Sequence, residues 1–199
     1  MNCWQCNASL DVDTAFCADC KTIQPPKPGQ THFEYLETTD QFAQDLDDLA
    51  RRHRSLQRKF HPDRFVSKTD RERRLSLEHA TLLNDAYRVL RDPCRRAEYM
   101  LSLRGCDINR EDSRIRLDPM FLMEVIELRE AIEELSGTDT HVERSTIERD
   151  VALRFEETLS QLGQCLDDGS QAVDEMAQWA AQLKYLKRII DEIHARDGL

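Results

Sequence analysis

Four cysteines near the N-terminus stand as two Cys-x2-Cys pairs, Cys3 with Cys6 and Cys17 with Cys20, with ten residues between the pairs. Thiolates are soft ligands, and two such knuckles can set four sulfurs around one tetrahedral ion. A segment this short cannot otherwise bury a core, so metal binding would have to supply its folding energy. Asn7 and Lys21 follow the second cysteine of each pair, where a tight turn is expected, and Asn tolerates left-handed backbone well. The expected occupant is one structural zinc per chain; iron in the same site, or two redox-active Cys pairs, are the alternatives. Four thiolates leave no open coordination position, which argues against catalytic zinc. Cys94, Cys106 and Cys165 are scattered through helical segments and read as ordinary core or partly buried thiols. The other candidate is the tripeptide His61-Pro62-Asp63. As a metal ligand or general base, His61 would need a set of Cys, His or carboxylate partners nearby, and the surrounding sequence offers none.

These residues must be positioned by helices. Charged residues make up 33% of the 199, Gly and Pro are few, and Ala, Glu, Leu and Arg dominate. Residues 21–30 hold three prolines and a glycine, a stiff linker that sets a boundary near residue 28 between a small four-Cys module, 1–28, and the helical remainder. After a short segment around Thr31–Leu36, Thr39-Asp40 is a plausible cap for a helix over about 41–60. Phe42, Leu46, Leu49, Leu56 and Phe60 give it an apolar side, with His53 in the gap, while Arg51, Arg52, Arg54, Arg58 and Lys59 make the other side basic. Pro62 disfavours helical geometry at His61 and stops the helix there. A second helix is expected over about 70–91, with Leu75, Leu82, Leu83, Ala86, Val89 and Leu90 buried. Asp92-Pro93 interrupts it, Pro93 starts a helix to about Leu103, and Gly105 ends that one. The middle of the chain is therefore one helical domain, 29–106.

The C-terminal part, 107–199, predicts a three-helix antiparallel bundle. The first helix starts at Asp118-Pro119 with a stripe of Phe121, Val125, Leu128, Ile132 and Leu135, and Ser136-Gly137-Thr138 ends it. The second carries Ile147, Val151, Phe155, Leu159, Leu162 and Leu166 as far as Asp168-Gly169. The third carries Met176, Trp179, Leu183, Leu186, Ile190 and Ile193. Leu122, Met123 and Ile126 lie beside the first stripe and Tyr185 beside the third, while Glu127, Glu130 and Glu134 continue the Met123 side. An apolar spot edged by carboxylates is suited to a partner with basic residues around an apolar centre; the plainer alternative is that these side chains pack against the 29–106 domain or widen the core.

The context of the tripeptide, between two antiparallel amphipathic helices, directly after a basic helical side, and some 20 residues before Asn84-Asp85-Ala86-Tyr87-Arg88-Val89-Leu90, resembles the J-domain of DnaJ-type co-chaperones over residues 31–105. The segment FLMEVIELREAIEEL is similar to the opening of the C-terminal bundle of the HscB family, the J-proteins of iron–sulfur cluster assembly, and QLKYLKRI to its last helix. The N-terminal Cys pairs resemble those of its longer, mitochondrial-type members. The resemblance implies a non-enzymatic co-chaperone. Arg54, Arg58 and Lys59 would dock on an acidic face of a DnaK/HscA-type ATPase, and His61-Pro62-Asp63 would stimulate ATP hydrolysis. Leu122, Met123, Ile126, Glu127, Glu130, Glu134 and Tyr185 would hold an IscU-type scaffold. Tyr185 stands where the family often has Phe, and its hydroxyl suits a half-exposed position.

The net charge of −10 hides an asymmetry: residues 1–50 carry −7, residues 51–117 carry +8, and residues 118–199 carry −11. A basic middle between acidic ends suits two surfaces with different partners. A nucleic-acid binder is the first rival reading, disfavoured because the protein is acidic overall and its basic run has no interleaved aromatics. A thiol oxidoreductase working through the Cys pairs is the second. No apolar run approaches the roughly 18 residues of a membrane span, and the first residues lack the pattern of a signal peptide. The expectation is a soluble intracellular protein, cytoplasmic in preference to the mitochondrial matrix.

Overall fold

The structure is a computed structural model, and it describes residues 1–11, 14–110, 115–134, 141–169 and 171–197. Among these every regular element is helical: α1 (His32–Tyr35), α2 (Leu46–Phe60), a 3-10 turn (Pro62–Phe65), α3 (Asp70–Arg91), α4 (Pro93–Leu103), α5 (Pro119–Glu134), α6 (His141–Asp168) and α7 (Val173–Asp197). The only extended pairings among them are two isolated antiparallel bridges, Asn2 with Ser9 and Phe16 with Ile23. This is the all-α class expected, with the four cysteines gathered at the N-terminus.

Packing divides the chain into two compact units: Met1–Asp40 with Gln44–Asp92, and Gln41–Ala43 with Pro93–Leu199. In the first unit, α2 and α3 form the helical hairpin. Leu49, Leu56 and Phe60 on α2 face Leu75, Leu83, Ala86 and Leu90 on α3, all buried. Two side-chain contacts set the register: His53 stacks on Tyr87 with ring centroids 4.2 Å apart, and its Nε2 lies 3.0 Å from the Asn84 side-chain oxygen. The sequence Asn84–Leu90 thus locks one helix against the other. Leu82, expected on the buried side, is 38% exposed, because it sits one step off the stripe that Leu75, Leu83, Ala86 and Leu90 complete.

The start of α2 differs from expectation. Asp45, not Thr39-Asp40, caps it, accepting from the backbone N–H groups of Asp47 and Asp48 at 3.0 Å each. Phe42 lies outside the helix and belongs to the second unit, where its backbone N–H donates to Asp167 and its ring lies against Gly163. A Cβ on Gly163 would collide with that ring, so the glycine permits the approach. The spacing of Phe42 fits the α2 stripe, but the contact it gains beside Gly163 draws it out of helical register.

Within the second unit, α4 packs on α6 and α7 through buried Ala97, Met100 and Leu101, and the Arg104 guanidinium donates to the Leu166 carbonyl at 2.6 Å. Packing therefore groups the helix of Pro93 with the bundle, whereas the division by motif and composition places it in the 29–106 segment. Phe121, Val125, Ile132, Val151, Leu186, Ile189 and Ile193 form the bundle core, with Leu128, Ile147, Phe155 and Ile190 partly buried against it. Ile189 takes the fully buried position expected of Ile190. Leu135 and Ser136-Gly137-Thr138 lie outside the described residues.

Candidate functional site

The candidate residues fall into three sets. The first is the cysteine set. Each Cys-x2-Cys pair is a tight knuckle: the N–H of Asn7 donates to the Cys3 carbonyl, the N–H of Lys21 to the Cys17 carbonyl, and both residues take the left-handed backbone, with φ of 62° and 58°. The four sulfurs lie within 4.8 Å of one another, Cys3 to Cys20 at 3.6 Å and Cys6 to Cys17 at 3.7 Å, and all four are free thiols. Tetrahedral thiolate coordination at about 2.3 Å puts sulfurs about 3.8 Å apart, so the cage fits one ion of zinc size.

The electrostatics agree. Desolvation opposes ionisation of Cys3, but the N–H groups of Cys6 and Gln5 outweigh it and bring the thiol down to about 6. Cys20 is lowered by the hydroxyl and N–H of Thr22. At Cys6 the N–H of Ala8 favours the thiolate, yet the neighbouring sulfurs and desolvation prevail and push it up to about 12. Sulfurs this close cannot all ionise without a cation among them, and the donors aimed at Cys3 and Cys20 are those a bound metal would need.

The second set is the tip between α2 and α3. The His61 backbone leaves the helical region (φ −59°, ψ 127°), as the following proline demands, and Pro62–Phe65 forms the 3-10 turn. The Asp63 N–H donates to His61 Nδ1 at 3.2 Å, the Arg64 N–H donates to the His61 carbonyl at 3.0 Å, and the Arg64 guanidinium donates to the Arg58 carbonyl at 3.1 Å. Buried Phe65 anchors the turn from below. The side chains of His61 and Asp63 are 50% and 85% exposed, so an ordered backbone presents them outward. On α2, Arg51 and Arg52 are paired with Asp48, while Arg54, Arg58 and Lys59 are exposed beside the tip.

The third set lies on the bundle. Leu122, Met123, Ile126 and Tyr185 are exposed, at 38%, 61%, 56% and 39%. Tyr185 meets the core residue Phe121 edge-on with centroids 6.3 Å apart, which joins α7 to the α5 residues. Glu127 and Glu130 are exposed on the same helix; the Glu134 side chain lies outside the described residues. Met120, 70% exposed, extends the apolar spot by one turn from Met123. Sequence reasoning misses it because it stands directly after the helix-starting Pro119; its three-residue spacing from Met123 is the available signal. Phe16, Gln24 and His79, which join the Cys knuckles to the hairpin, are missed as well, because contacts between residues so far apart in sequence leave no periodic trace.

No described helix is long and apolar enough to cross a membrane. Residues 117–194 match the family model described as the HSCB C-terminal oligomerisation domain. A co-chaperone protein HscB homolog of Vibrio vulnificus is 38% identical over 165 residues, covering 81% of this chain and 94% of that protein. The mouse iron-sulfur cluster co-chaperone protein HscB is 29% identical, covering 96% of this chain and 80% of its own length. Among solved structures, human co-chaperone protein HscB superposes with a TM-score of 0.88 at 27% identity, over 99% of this chain and 98% of that one. Chaperone HscB from Vibrio cholerae superposes at 0.75 with 32% identity, over 85% and 98%. With a hairpin that carries His61-Pro62-Asp63 at its tip, a three-helix bundle after it, and relatives matched over nearly their whole length, the chain belongs to the HscB family of co-chaperones.

Proposed function

We propose that the protein delivers an IscU-type iron–sulfur scaffold to a DnaK/HscA-type chaperone and stimulates that chaperone's ATPase, without performing chemistry of its own. The observation that carries this is the ordered, outward-facing His61-Pro62-Asp63 tip beside exposed Arg54, Arg58 and Lys59 in a chain of the HscB family. The basic helix docks on an acidic face of the ATPase, and the tip acts at the catalytic centre of the partner. Leu122, Met123, Ile126 and Tyr185 form the apolar centre of the scaffold surface, edged by Glu127, Glu130 and Glu134. Holding both partners on one chain raises the scaffold's effective concentration at the chaperone's peptide site. Hydrolysis then traps the scaffold and promotes release of its cluster.

In this reading the chain has three functional parts: the four-Cys module of 1–28, the J-domain of 29–106 and the scaffold-binding bundle of 107–199. Cys3, Cys6, Cys17 and Cys20 hold one structural zinc, supported by the sulfur spacing and the donors around Cys3 and Cys20. The protein works where its scaffold is assembled, in a bacterial cytoplasm or a mitochondrial matrix. A pull-down from native extract tests the proposal: a cluster scaffold and a DnaK-type chaperone should be recovered together. Recovery of neither, or of nucleic acid in a salt-dependent complex, would overturn it.

A further inference from the structure

The knuckles do not stand apart from the helices. Residues 15–24 form a small hairpin around the second Cys pair, with the Cys17 N–H donating to the Thr22 carbonyl at 3.0 Å and the Gln24 N–H to the Ala15 carbonyl at 2.9 Å. Its Ile23 is fully buried, and the Trp4 indole N–H donates to the Ile23 carbonyl at 2.7 Å, tying the first knuckle to the second. Gln24, 3% exposed, reaches in two directions. Its side-chain amide donates to the Cys3 sulfur at 3.3 Å, and its backbone carbonyl accepts from His79 Nε2, on α3, at 2.8 Å. Phe16, on the same hairpin, stacks nearly parallel on Phe60 with ring centroids 5.7 Å apart. Phe60 also stacks on His79 at 4.3 Å, and its carbonyl accepts from the Ser76 hydroxyl at 2.7 Å. Phe60 is the last residue of α2, and the next three are His61, Pro62 and Asp63. An unbroken set of contacts thus runs from the four sulfurs to the residue that carries the tip.

We infer that the four-Cys module positions the chaperone-activating tip: Phe16 and Gln24, held in place when the knuckles bind metal, clamp Phe60 and His79 and so fix where α2 ends and the tip begins. An appendage with a separate role would need only a tether. Here a buried amide, a buried imidazole and two parallel ring contacts converge on the end of one helix. Phe16 and Gln24 are positioning residues, since neither reaches the partner's surface at the tip. The inference rests on the reading of His61-Pro62-Asp63 as the stimulating element.

The test uses the full-length chain with Phe16→Ala, compared with Phe16→Tyr, which keeps a stacking ring. The readouts are metal content, helicity by circular dichroism, amide hydrogen exchange across residues 60–66, and stimulation of a purified HscA-type chaperone. Phe16→Ala should keep its metal and helicity, exchange at residues 60–66 should rise roughly three- to tenfold, as expected for loss of one aromatic stack, and maximal stimulation should fall with it. Phe16→Tyr should restore both. Removing the metal from the wild-type chain with a chelator should speed the same amides while amides in α5–α7 keep their protection. The inference is overturned if Phe16→Ala and metal-free chains show unchanged exchange at residues 60–66, or if Phe16→Ala stimulates as wild type. It is overturned equally if Phe16→Ala loses all hairpin helicity, because the module would then be a general support and not a clamp on the tip. A wild-type chain that fails to stimulate any DnaK-type ATPase would defeat the reading of the tip itself, a separate result.

Discussion

Replacing Leu122, Met123, Ile126 and Tyr185 together with Ala should remove scaffold binding while leaving the bundle folded. Full burial of a side chain of this size is worth about 1.5–3 kcal/mol, so half-exposed positions should lose about 1 kcal/mol each on truncation. Tyr185 adds its edge contact with Phe121, about 0.5–1.5 kcal/mol. The total, about 4.5–5.5 kcal/mol, is tolerable within the stability of roughly 5–15 kcal/mol usual for a domain, but only with the experiment run at low temperature. Leu186, at 1% exposure, provides the contrast: Leu186→Ala should cost about 2–5 kcal/mol from one substitution. Scaffold affinity, measured by calorimetry, should fall more than about 100-fold in the quadruple variant, as for a cluster of hot-spot residues. Leu186→Ala should bind nearly normally wherever it stays folded. A quadruple variant that is folded and binds scaffold like wild type would refute the reasoning, as would one whose binding loss merely tracks its unfolding.

Four further outcomes are expected. Reversing Glu127, Glu130 and Glu134 to Lys should mainly slow scaffold association and reduce its salt dependence, as read by stopped-flow at two ionic strengths. Cys3→Ser or Cys17→Ser should release about one zinc per chain in metal analysis and lower the melting temperature of the α2–α3 hairpin as well as disordering residues 1–25. His79 is held below the usual imidazole range by burial, with the Tyr35 hydroxyl donating to its Nδ1. The unfolded chain therefore takes up a proton at His79 first. Stability should be at its full level above about pH 6.5 and fall as the pH drops below it, and His79→Gln should flatten that dependence in urea titrations. Gly163→Ala drives a methyl into the Phe42 ring and should cost about 1–3 kcal/mol, less in a Phe42→Ala background, as a double-mutant cycle would show.

Features with a short period or a steric rule are readable without coordinates. Pro62 and Pro93 dictate where two helices must stop and start, the α5 stripe of Phe121, Val125 and Ile132 is buried as its spacing requires, and the exposure of Met123 and Ile126 follows from their lying outside that stripe. The sulfur cage is legible because two Cys pairs at this spacing have few other uses. What escapes are choices made by tertiary packing. Phe42 fits a helical stripe locally, yet its contact beside Gly163 outweighs another turn of α2, and Asp45 becomes the cap. The linker around Pro25, Pro26 and Pro28 reads as a spacer, yet the hairpin before it is bound to α2 and α3 through Phe16 and Gln24. A stiff linker sets the length of a connection and says nothing about whether its ends pack together.

If the ordered tip on this chain switches on a partner ATPase, changing its exposed side chains should abolish that effect alone. The most direct measurement is the steady-state ATPase rate of a purified HscA-type chaperone with saturating wild-type protein, His61→Gln and Asp63→Asn. Both side chains are exposed, so each variant should melt within a degree or two of wild type and bind scaffold unchanged. Wild-type protein should stimulate hydrolysis, and both variants should fail to do so. Undiminished stimulation by both folded variants would contradict this role of the tip.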